Sequence, residues 1–405
     1  MNQPATTQSI HARQMGKVMD SIQHLLRFLN DSPYARLRDE PGVADFALGN
    51  PHEMPLPELT VALQKWSIPH DKDWFAYKMN EPDAQELVAC SLHARLGVTF
   101  EPDDIFLTNG AFAAITVAVT ALTDPGDEII YVSPPWFFYV PIIISRHGTP
   151  VAVPCQRDTF DLDLEAIRGA ITPNTRAIIV NTPNNPTGRI YPPETLRKLA
   201  GLLTESSARY GRPIYLLSDE AYSHILYDRN DFHTPAEFYP HTLLMYTYGK
   251  TLLAPGQRMG YIALPASMPQ REQLRPAVLS AQMVTGYAFP NALLLHALPD
   301  LEALSIDIPS LQARRDRMAA ALRQDGYELH IPQGTFYLMA RSPLKDDMAF
   351  VELLAEEKIL CLPGSSFEMP GYFRISLTAN DAMVERALPG FARAFARAKG
   401  INTRG

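Results

Sequence analysis

Short apolar runs that end in polar or glycine-containing turns recur through the middle of the chain. Ile105-Phe106-Leu107-Thr108, Ile129 to Val132, Thr149 to Val153, Arg176 to Val180 and Ile214 to Leu217 have the length and side-chain types of strands. Leu243-Leu244-Met245 and Tyr261-Ile262-Ala263-Leu264 read the same way. Helix-length segments lie between them: Phe112 to Leu122, Leu164 to Ile171 and Glu194 to Ala208. Strands separated by such crossovers predict a mostly parallel sheet. Upstream, Ile10 to Leu29 predicts an amphipathic helix after a polar start, 58–66 a short helix, and Ala84 to Leu96 another. Phe46-Ala47-Leu48-Gly49-Asn50-Pro51 predicts a sharp turn, and Trp74 to Lys78 an aromatic loop. The C-terminal third predicts helices over Pro309 to Gly326, Ala349 to Ile359 and Ala382 to Lys399, the last with Pro389 inside. It also predicts strands within Leu329 to Met339 and at Tyr372 to Leu377.

The ends of these strands carry the chemistry. Gly110 turns the first one into an apolar helix that starts at Ala111 and Phe112. Such a helix start leaves N–H groups free for a phosphate, although many turns carry a glycine for geometry alone. Trp136 lies just past another strand end, where open α/β sheets bind ligands; its plainer reading is a core residue. Asn181-Thr182-Pro183-Asn184-Asn185-Pro186-Thr187-Gly188 is a rigid polar loop. Asp219 and Glu220 end the next strand. They resemble a metal pair, but no third ligand has matching local spacing, and His224 nearby does not supply one.

Lys250 follows Tyr246-Thr247-Tyr248-Gly249. A lysine after a strand is ordinarily a solvated loop residue. Here it stands between two apolar runs, and desolvation favours the neutral amine that a Schiff base needs. Gly249-Lys250-Thr251 also looks like the tail of a phosphate-binding P-loop. That motif needs a glycine five positions before Gly249, and the chain has Leu244 there. Parallel strands present their C-terminal ends on one edge. Gly110, Asn185, Asp219 and Lys250 therefore share a rim.

Composition narrows the setting. The chain has 405 residues, enough for two domains; 46% are hydrophobic and 20% charged. The net charge of −8 argues against a nucleic-acid surface. Cys90, Cys155 and Cys361 lie far apart, which predicts neither a zinc site nor a disulfide framework and fits a cytoplasmic protein. No apolar signal segment opens the sequence, and no uncharged run reaches membrane-spanning length. The 35 prolines are dispersed, so they mark turns rather than a disordered tract.

A phosphate cradle, an amide, a carboxylate and an amine on one rim suit pyridoxal phosphate, an electron sink that needs a lysine and an acidic partner. Asp219 would keep its ring nitrogen protonated. Asn185 and Tyr222 would hydrogen-bond its ring oxygen, Trp136 would stack on its face, and Arg258 would grip its phosphate. With Gly334-Thr335-Phe336-Tyr337, Pro363-Gly364-Ser365-Ser366-Phe367 and Phe373-Arg374-Ile375-Ser376 added, the sequence resembles the class I/II aminotransferases, the aspartate-aminotransferase-like enzymes of fold type I. The matching motifs run in order from Gly49 to Arg374.

The resemblance implies an α/β fold: a large cofactor-binding domain over 58–295 around a mostly parallel seven-stranded sheet, and a smaller α+β domain from 1–57 and 296–405. It implies transfer of an α-amino group from an amino acid to a 2-oxo acid. Lys250 is then the internal-aldimine lysine and proton shuttle, and Arg374 the clamp for the substrate α-carboxylate, assisted by Asn185 and the Gly49 backbone. Tyr77 is the tyrosine that reaches the phosphate of the neighbouring subunit in a homodimer. Departures are visible too. Gly249 and Ala111 stand where many relatives have hydroxyl residues, so Thr247 is expected to supply part of the phosphate's donors. Pro82 replaces a glycine after Tyr77, and Val284 to Tyr287 contains no arginine for a second carboxylate. Lyases, decarboxylases and amino-acid oxidases share this kit and are the alternative. A cofactor-binding regulator is a third reading, disfavoured because the chain has no spare domain.

Overall fold

The computed structural model describes residues 10–287 and 290–402. The polar start over 1–9 therefore lies outside the described residues. The first strand, β1 (Ala44–Asp45), is short. Seven others form one sheet: β2 (Ile105–Thr108), β3 (Glu128–Ser133), β4 (Thr149–Pro154), β5 (Thr175–Asn181), β6 (Tyr215–Asp219), β7 (Thr242–Thr247) and β8 (Gly260–Ala263). Their order is β2-β8-β7-β6-β5-β3-β4. Only β8 runs antiparallel to its neighbours among the described pairings.

Alternation along these strands explains why both sheet faces are covered. Ile129, Ile179, Leu217, Leu243 and Met245 point to one face, against the helices Ala111–Leu122 and Arg271–Val284. Ile130, Val132, Ile178, Val180 and Leu216 point to the other, against Pro193–Tyr210. Each such side chain, fully buried, stabilises the fold by roughly 1.5–3 kcal/mol. The sheet and its helices follow the sequence pattern closely, because these runs are mostly apolar at the positions that face a layer.

The second sheet is antiparallel. It contains β9 (Leu329–His330), β10 (Tyr337–Arg341), β12 (Leu362–Pro363) and β13 (Tyr372–Ser376), in the order β12-β13-β10-β9. β11 (Ile359–Leu360) pairs instead with β1 in parallel. The helices Ile308–Asp325, Asp347–Glu356 and Asp381–Asn402 close over this sheet; Phe350, Phe373, Ile375 and Phe391 are fully buried between them.

Two regions differ from the sequence pattern. The amphipathic stretch from Ile10 to Leu29 is two helices, Arg13–Ser21 and Gln23–Asp31, broken at Ile22. The first lies on the helix Tyr139–Ser145, where the Gln14 amide donates to the Ile144 carbonyl. The second buries Leu25 and Phe28, with Phe28 stacked on Tyr34. One straight helix could not serve both surfaces. The aromatic loop before Tyr77 is anchored by a stack: Trp74 lies 3.6 Å from the His296 ring and nearly parallel to it, and Trp66 continues the stack at 6.0 Å.

Gly260 fixes the junction where β8 lies between β2 and β7. It pairs with Thr108 on one side and Thr247 on the other. A Cβ there would stand 2.2 Å from the Tyr246 carbonyl oxygen and 2.9 Å from Gly110 Cα. Both obstacles are backbone, so neither can rotate away. Gly260→Ala should cost about 3 kcal/mol or more, at the upper end for overpacking, read as a lowered denaturation midpoint. A change below about 0.5 kcal/mol would show that the junction is not tight.

Candidate active site

β2, β3, β5, β6 and β7 all end on one edge, because they run parallel. β8 starts there. The cavity at that edge encloses about 280 Å³. It brings together Gly49, Ala111, Phe112, Trp136, Asn185, Asp219, Tyr222, Thr247, Lys250, Arg258 and Arg374. Gly110 stands directly behind the Arg258 guanidinium. Tyr77 is not in this cavity and is 87% exposed.

Asp219 ends β6 and is buried. The Tyr139 hydroxyl donates to its Oδ2 at 2.6 Å, and the Ala221 N–H to its Oδ1 at 3.2 Å. Burial pushes this carboxyl above its ordinary range, while Tyr139, Ala221 and Lys250 pull it back. The Asn181 amide donates to the Asp219 carbonyl at 2.8 Å and so locks the strand end. Asn181 Oδ1 also accepts from the Asn185 N–H at 2.6 Å, which sets the loop that carries Asn185.

Lys250 sits in a single helical turn, Tyr248–Thr251, directly after β7. The Thr247 hydroxyl caps that turn by accepting from the Gly249 N–H at 3.4 Å, and donates to the Met259 carbonyl at 3.2 Å. Lys250 Nζ lies 5.6 Å from the ring centres of Tyr222 and Phe336. A Cβ at Gly249 would stand 3.1 Å from Pro255 Cα, which gives a steric reason for the absence of a hydroxyl residue there.

At one end of the cavity Gly110 precedes the helix Ala111–Leu122 with φ +83, a left-handed conformation that glycine adopts readily. A Cβ on it would meet Arg258 Nη2 at 2.9 Å and Thr247 Oγ1 at 3.2 Å. The helix N-terminus, the guanidinium and the hydroxyl therefore converge on one small volume, the pattern of an anion cradle. Arg258 is held there by donating from Nη1 to the Pro255 carbonyl at 2.6 Å. Trp136 stands beside this end, edge-on to Phe112 at 5.0 Å and to Tyr139 at 5.4 Å.

At the other end Arg374, on β13, is 3% exposed. It donates to Asn185 Oδ1 at 3.0 Å and to the Ala47 carbonyl at 2.9 Å. Its Nε is buried and has no hydrogen-bond partner among the described residues. Burial lowers its proton affinity, and no acidic side chain among the described residues forms an ion pair with it. A buried guanidinium without an anion is costly, so the site is built to receive one. Its flat face lies 3.9 Å from the Tyr337 ring centre. Gly49 is required opposite, because a Cβ there would stand 2.4 Å from the Tyr337 hydroxyl.

The sequence did not single out Tyr139, Asn181 or Tyr337 as site residues. Tyr139 lies one helical turn from Trp136, and that spacing was the available signal. Tyr337 was visible only as part of a motif.

A model of the family described as "Aminotransferase class I and II" matches residues 41–391. The aspartate/prephenate aminotransferase of Thermus thermophilus is 32% identical over 353 residues, covering 84% of this chain and 88% of that protein. The aspartate aminotransferase of Thermotoga maritima is 30% identical, covering 85% and 89%. Among solved structures, an aminotransferase from Eubacterium rectale superposes with TM-score 0.88 at 28% identity, over 96% of this chain and 99% of that one. The chain belongs to the class I and II aminotransferases. It is a pyridoxal-phosphate-dependent aminotransferase with the α/β architecture of fold type I.

The residues of this aminotransferase fit that cofactor. A cradle that any side chain at 110 would fill, a buried carboxylate and an amine line the cavity between the Gly110 end and Arg374. Glu220, next to Asp219, is not part of the cavity lining. It is fully buried and accepts at Oε1 from the Thr234 hydroxyl at 2.5 Å and the Ser218 hydroxyl at 2.9 Å. Burial raises its carboxyl to about 7. An acid whose folded-state pKa is raised holds its proton longer in the native state, so stability falls as pH rises from about 4.5 to about 7. Glu220→Gln should remove that part of the slope, on the order of 3 kcal/mol across the window. Denaturant melts at several pH values check this; parallel curves for both proteins would refute it.

Proposed function

We propose that Lys250 carries the cofactor and shuttles the proton in transamination, and that the enzyme prefers amino donors with neutral side chains. The observation that carries the first part is the buried, anion-free Arg374 across one cavity from Lys250 and Asp219. When bound, pyridoxal phosphate supplies an electron sink for the bond broken at the substrate carbon. Arg374, with Asn185 and the Gly49 backbone, binds and orients the α-carboxylate, which lowers the entropic barrier. With the cofactor bound, Lys250 Nζ would serve as general base for the proton on the substrate carbon and then as the general acid that returns it. Asp219 holds a proton on the ring nitrogen, and Tyr139 keeps that carboxylate in place. Gly110, Ala111, Phe112, Thr247 and Arg258 hold the phosphate. Trp136 covers the ring face, and Tyr222 with Asn185 holds the ring oxygen. No metal is needed for these steps.

The preference for neutral donors is supported by the walls. Leu48, Ile115 and Phe137 line the cavity beside these groups. Its cationic members are Lys250, Arg258 and Arg374, each assigned above. The division into a large domain over 58–295 and a small one from 1–57 and 296–405 accords with the two sheets. A homodimer is supported by Tyr77, which is exposed and outside its own cavity, and by exposed Val61, Ile68, Phe75 and Met283. Tyr77 then serves the phosphate of the partner subunit. The acidic composition and three free cysteines support a cytoplasmic setting, and no described helix is long and apolar enough to cross a membrane.

The test is the half-reaction. Holoenzyme mixed with single amino acids, without any oxo acid, should convert its cofactor to the amine form and release one oxo acid per site. Neutral donors should convert faster than aspartate. Ammonia or carbon dioxide release with return of the starting absorbance would move the enzyme to the lyase, decarboxylase or oxidase chemistry of the same fold. Faster conversion by aspartate would overturn the donor preference alone. In a separate measurement, borohydride treatment should fix the cofactor on Lys250. Lys250→Ala should lose that label and at least about 10³-fold in rate, as expected for losing a general acid/base that is also the covalent anchor. A label mapping to another lysine would remove Lys250 from the role.

A further inference from the structure

Tyr77 is 87% exposed, yet the loop that presents it is pinned on both sides. Three residues before it, Trp74 stacks on His296, whose Nε2 donates to the Trp74 carbonyl at 2.9 Å. Three residues after it, the Asn80 side chain reaches the edge of the large sheet. β2 is the edge strand, and among the described residues no strand pairs with it on the side away from β8. Its outward N–H and C=O groups therefore need other partners. Asn80 Oδ1 accepts from the Leu107 N–H at 2.7 Å, Gln282 Nε2 donates to the Leu107 carbonyl at 2.7 Å, and Asn80 Nδ2 donates to Gln282 Oε1 at 3.1 Å. A backbone partner fixes each amide, so neither can flip without losing its bonds. Gln85 completes the edge by donating from Nε2 to the Ile105 carbonyl at 2.7 Å.

Capping an edge strand accounts for these bonds but not for their place. Leu107 lies three residues before Gly110, and the Thr108 hydroxyl donates to the Gly110 carbonyl at 3.1 Å across the turn that opens the anion cradle. One strand end therefore carries a subunit's own cradle and, through Asn80, the base of its Tyr77 loop. We propose that Asn80 is a positioning residue: it ties the Tyr77 loop to Leu107 and so sets where the Tyr77 hydroxyl stands for the cofactor phosphate of the partner subunit. The inference rests on the Tyr77 role proposed above. An exposed loop anchored at one end must be ordered when it binds, whereas one anchored at both ends is ordered beforehand. Gln282 is buried and comes from the helix Arg271–Val284, which packs on the sheet, so the brace is held firmly on that side.

The consequence is a loss of affinity that depends on the cofactor's phosphate. Full-length apoenzyme is titrated with pyridoxal phosphate and with pyridoxal, which lacks the phosphate, and binding is followed by visible absorbance. Tyr77→Phe should weaken pyridoxal phosphate roughly 10- to 100-fold, as for a lost hydrogen bond to a charged group. Asn80→Ala should weaken it roughly 3- to 10-fold, because the Tyr77 hydroxyl remains but must be ordered on binding. Neither variant should change the binding of pyridoxal. The double variant should match Tyr77→Phe alone, because Asn80 acts through Tyr77. If Asn80→Ala does not fold, Gln282→Leu removes the other half of the brace and is read in the same way. Equal losses for pyridoxal and pyridoxal phosphate in Asn80→Ala would overturn the proposal, since the amide would then serve the fold alone. Additive losses in the double variant would overturn it too, because Asn80 would then act through the cradle of its own subunit. Unchanged affinity in Asn80→Ala beside a weakened Tyr77→Phe would refute the brace and leave the Tyr77 role standing. Unchanged affinity in Tyr77→Phe would refute that role and the brace with it.

Discussion

Parallel strand pairing is the constraint on which the site depends. Six of the seven strands in the large sheet share a direction, so their C-terminal ends share an edge. Each crossover then delivers one group to that edge at a height fixed by register. Asn181 pairs with Asp219, and Asp219 with Met245, two residues before Thr247 and its cap on the Lys250 turn. β8, reversed between β2 and β7, brings Arg258 back to the same edge just before it begins. Gly260 permits that insertion, and the cradle at Gly110 is formed against it. A shift of one residue in any of these pairings would turn the corresponding group to the opposite sheet face.

Electrostatics then separate the two ends of the cavity. Asp219 is a buried anion supplied with two donors, and Arg374 is a buried cation supplied with two acceptors that carry no formal charge. Arg374 retains an unpartnered Nε. The carboxyl is raised and the guanidinium lowered by burial, the signature of charges held ready for partners that arrive from outside. Glu220 is the contrast. Equally buried and one residue away, it lies outside the cavity: its Oε1 accepts from two hydroxyls, its Oε2 has no partner among the described residues, and its perturbation bears on stability.

Much of this was legible in the sequence, and the physical reason is locality. Gly110, Asp219 and Lys250 each sit at the end of an apolar run, so their place follows from the run and the parallel rule. Arg374 needed the motif resemblance, because nothing local says that β13 of the second sheet brings it against Asn185, 189 positions away. Tyr139 and Tyr337 were not read as site residues for the same reason. Each is an aromatic residue in an apolar stretch, and only the fold shows which polar group its hydroxyl meets. The break at Ile22 was invisible because the amphipathic pattern continues across it; two different docking surfaces, not propensity, divide the helix.

The second sheet does more than carry Arg374. Tyr337 on β10 and Arg374 on β13 are placed by one antiparallel ladder in which Tyr337 pairs with Ser376 and Met339 with Arg374. Their side chains meet face to face at 3.9 Å. Tyr337 in turn touches Tyr222, three residues beyond Asp219. The Arg374 end and the Asp219 end of the cavity are therefore bridged by two aromatic rings in contact. Movement of the second sheet against the first would strain or relax that contact directly. The side chains proposed to hold the carboxylate thus pack directly against those proposed to hold the cofactor.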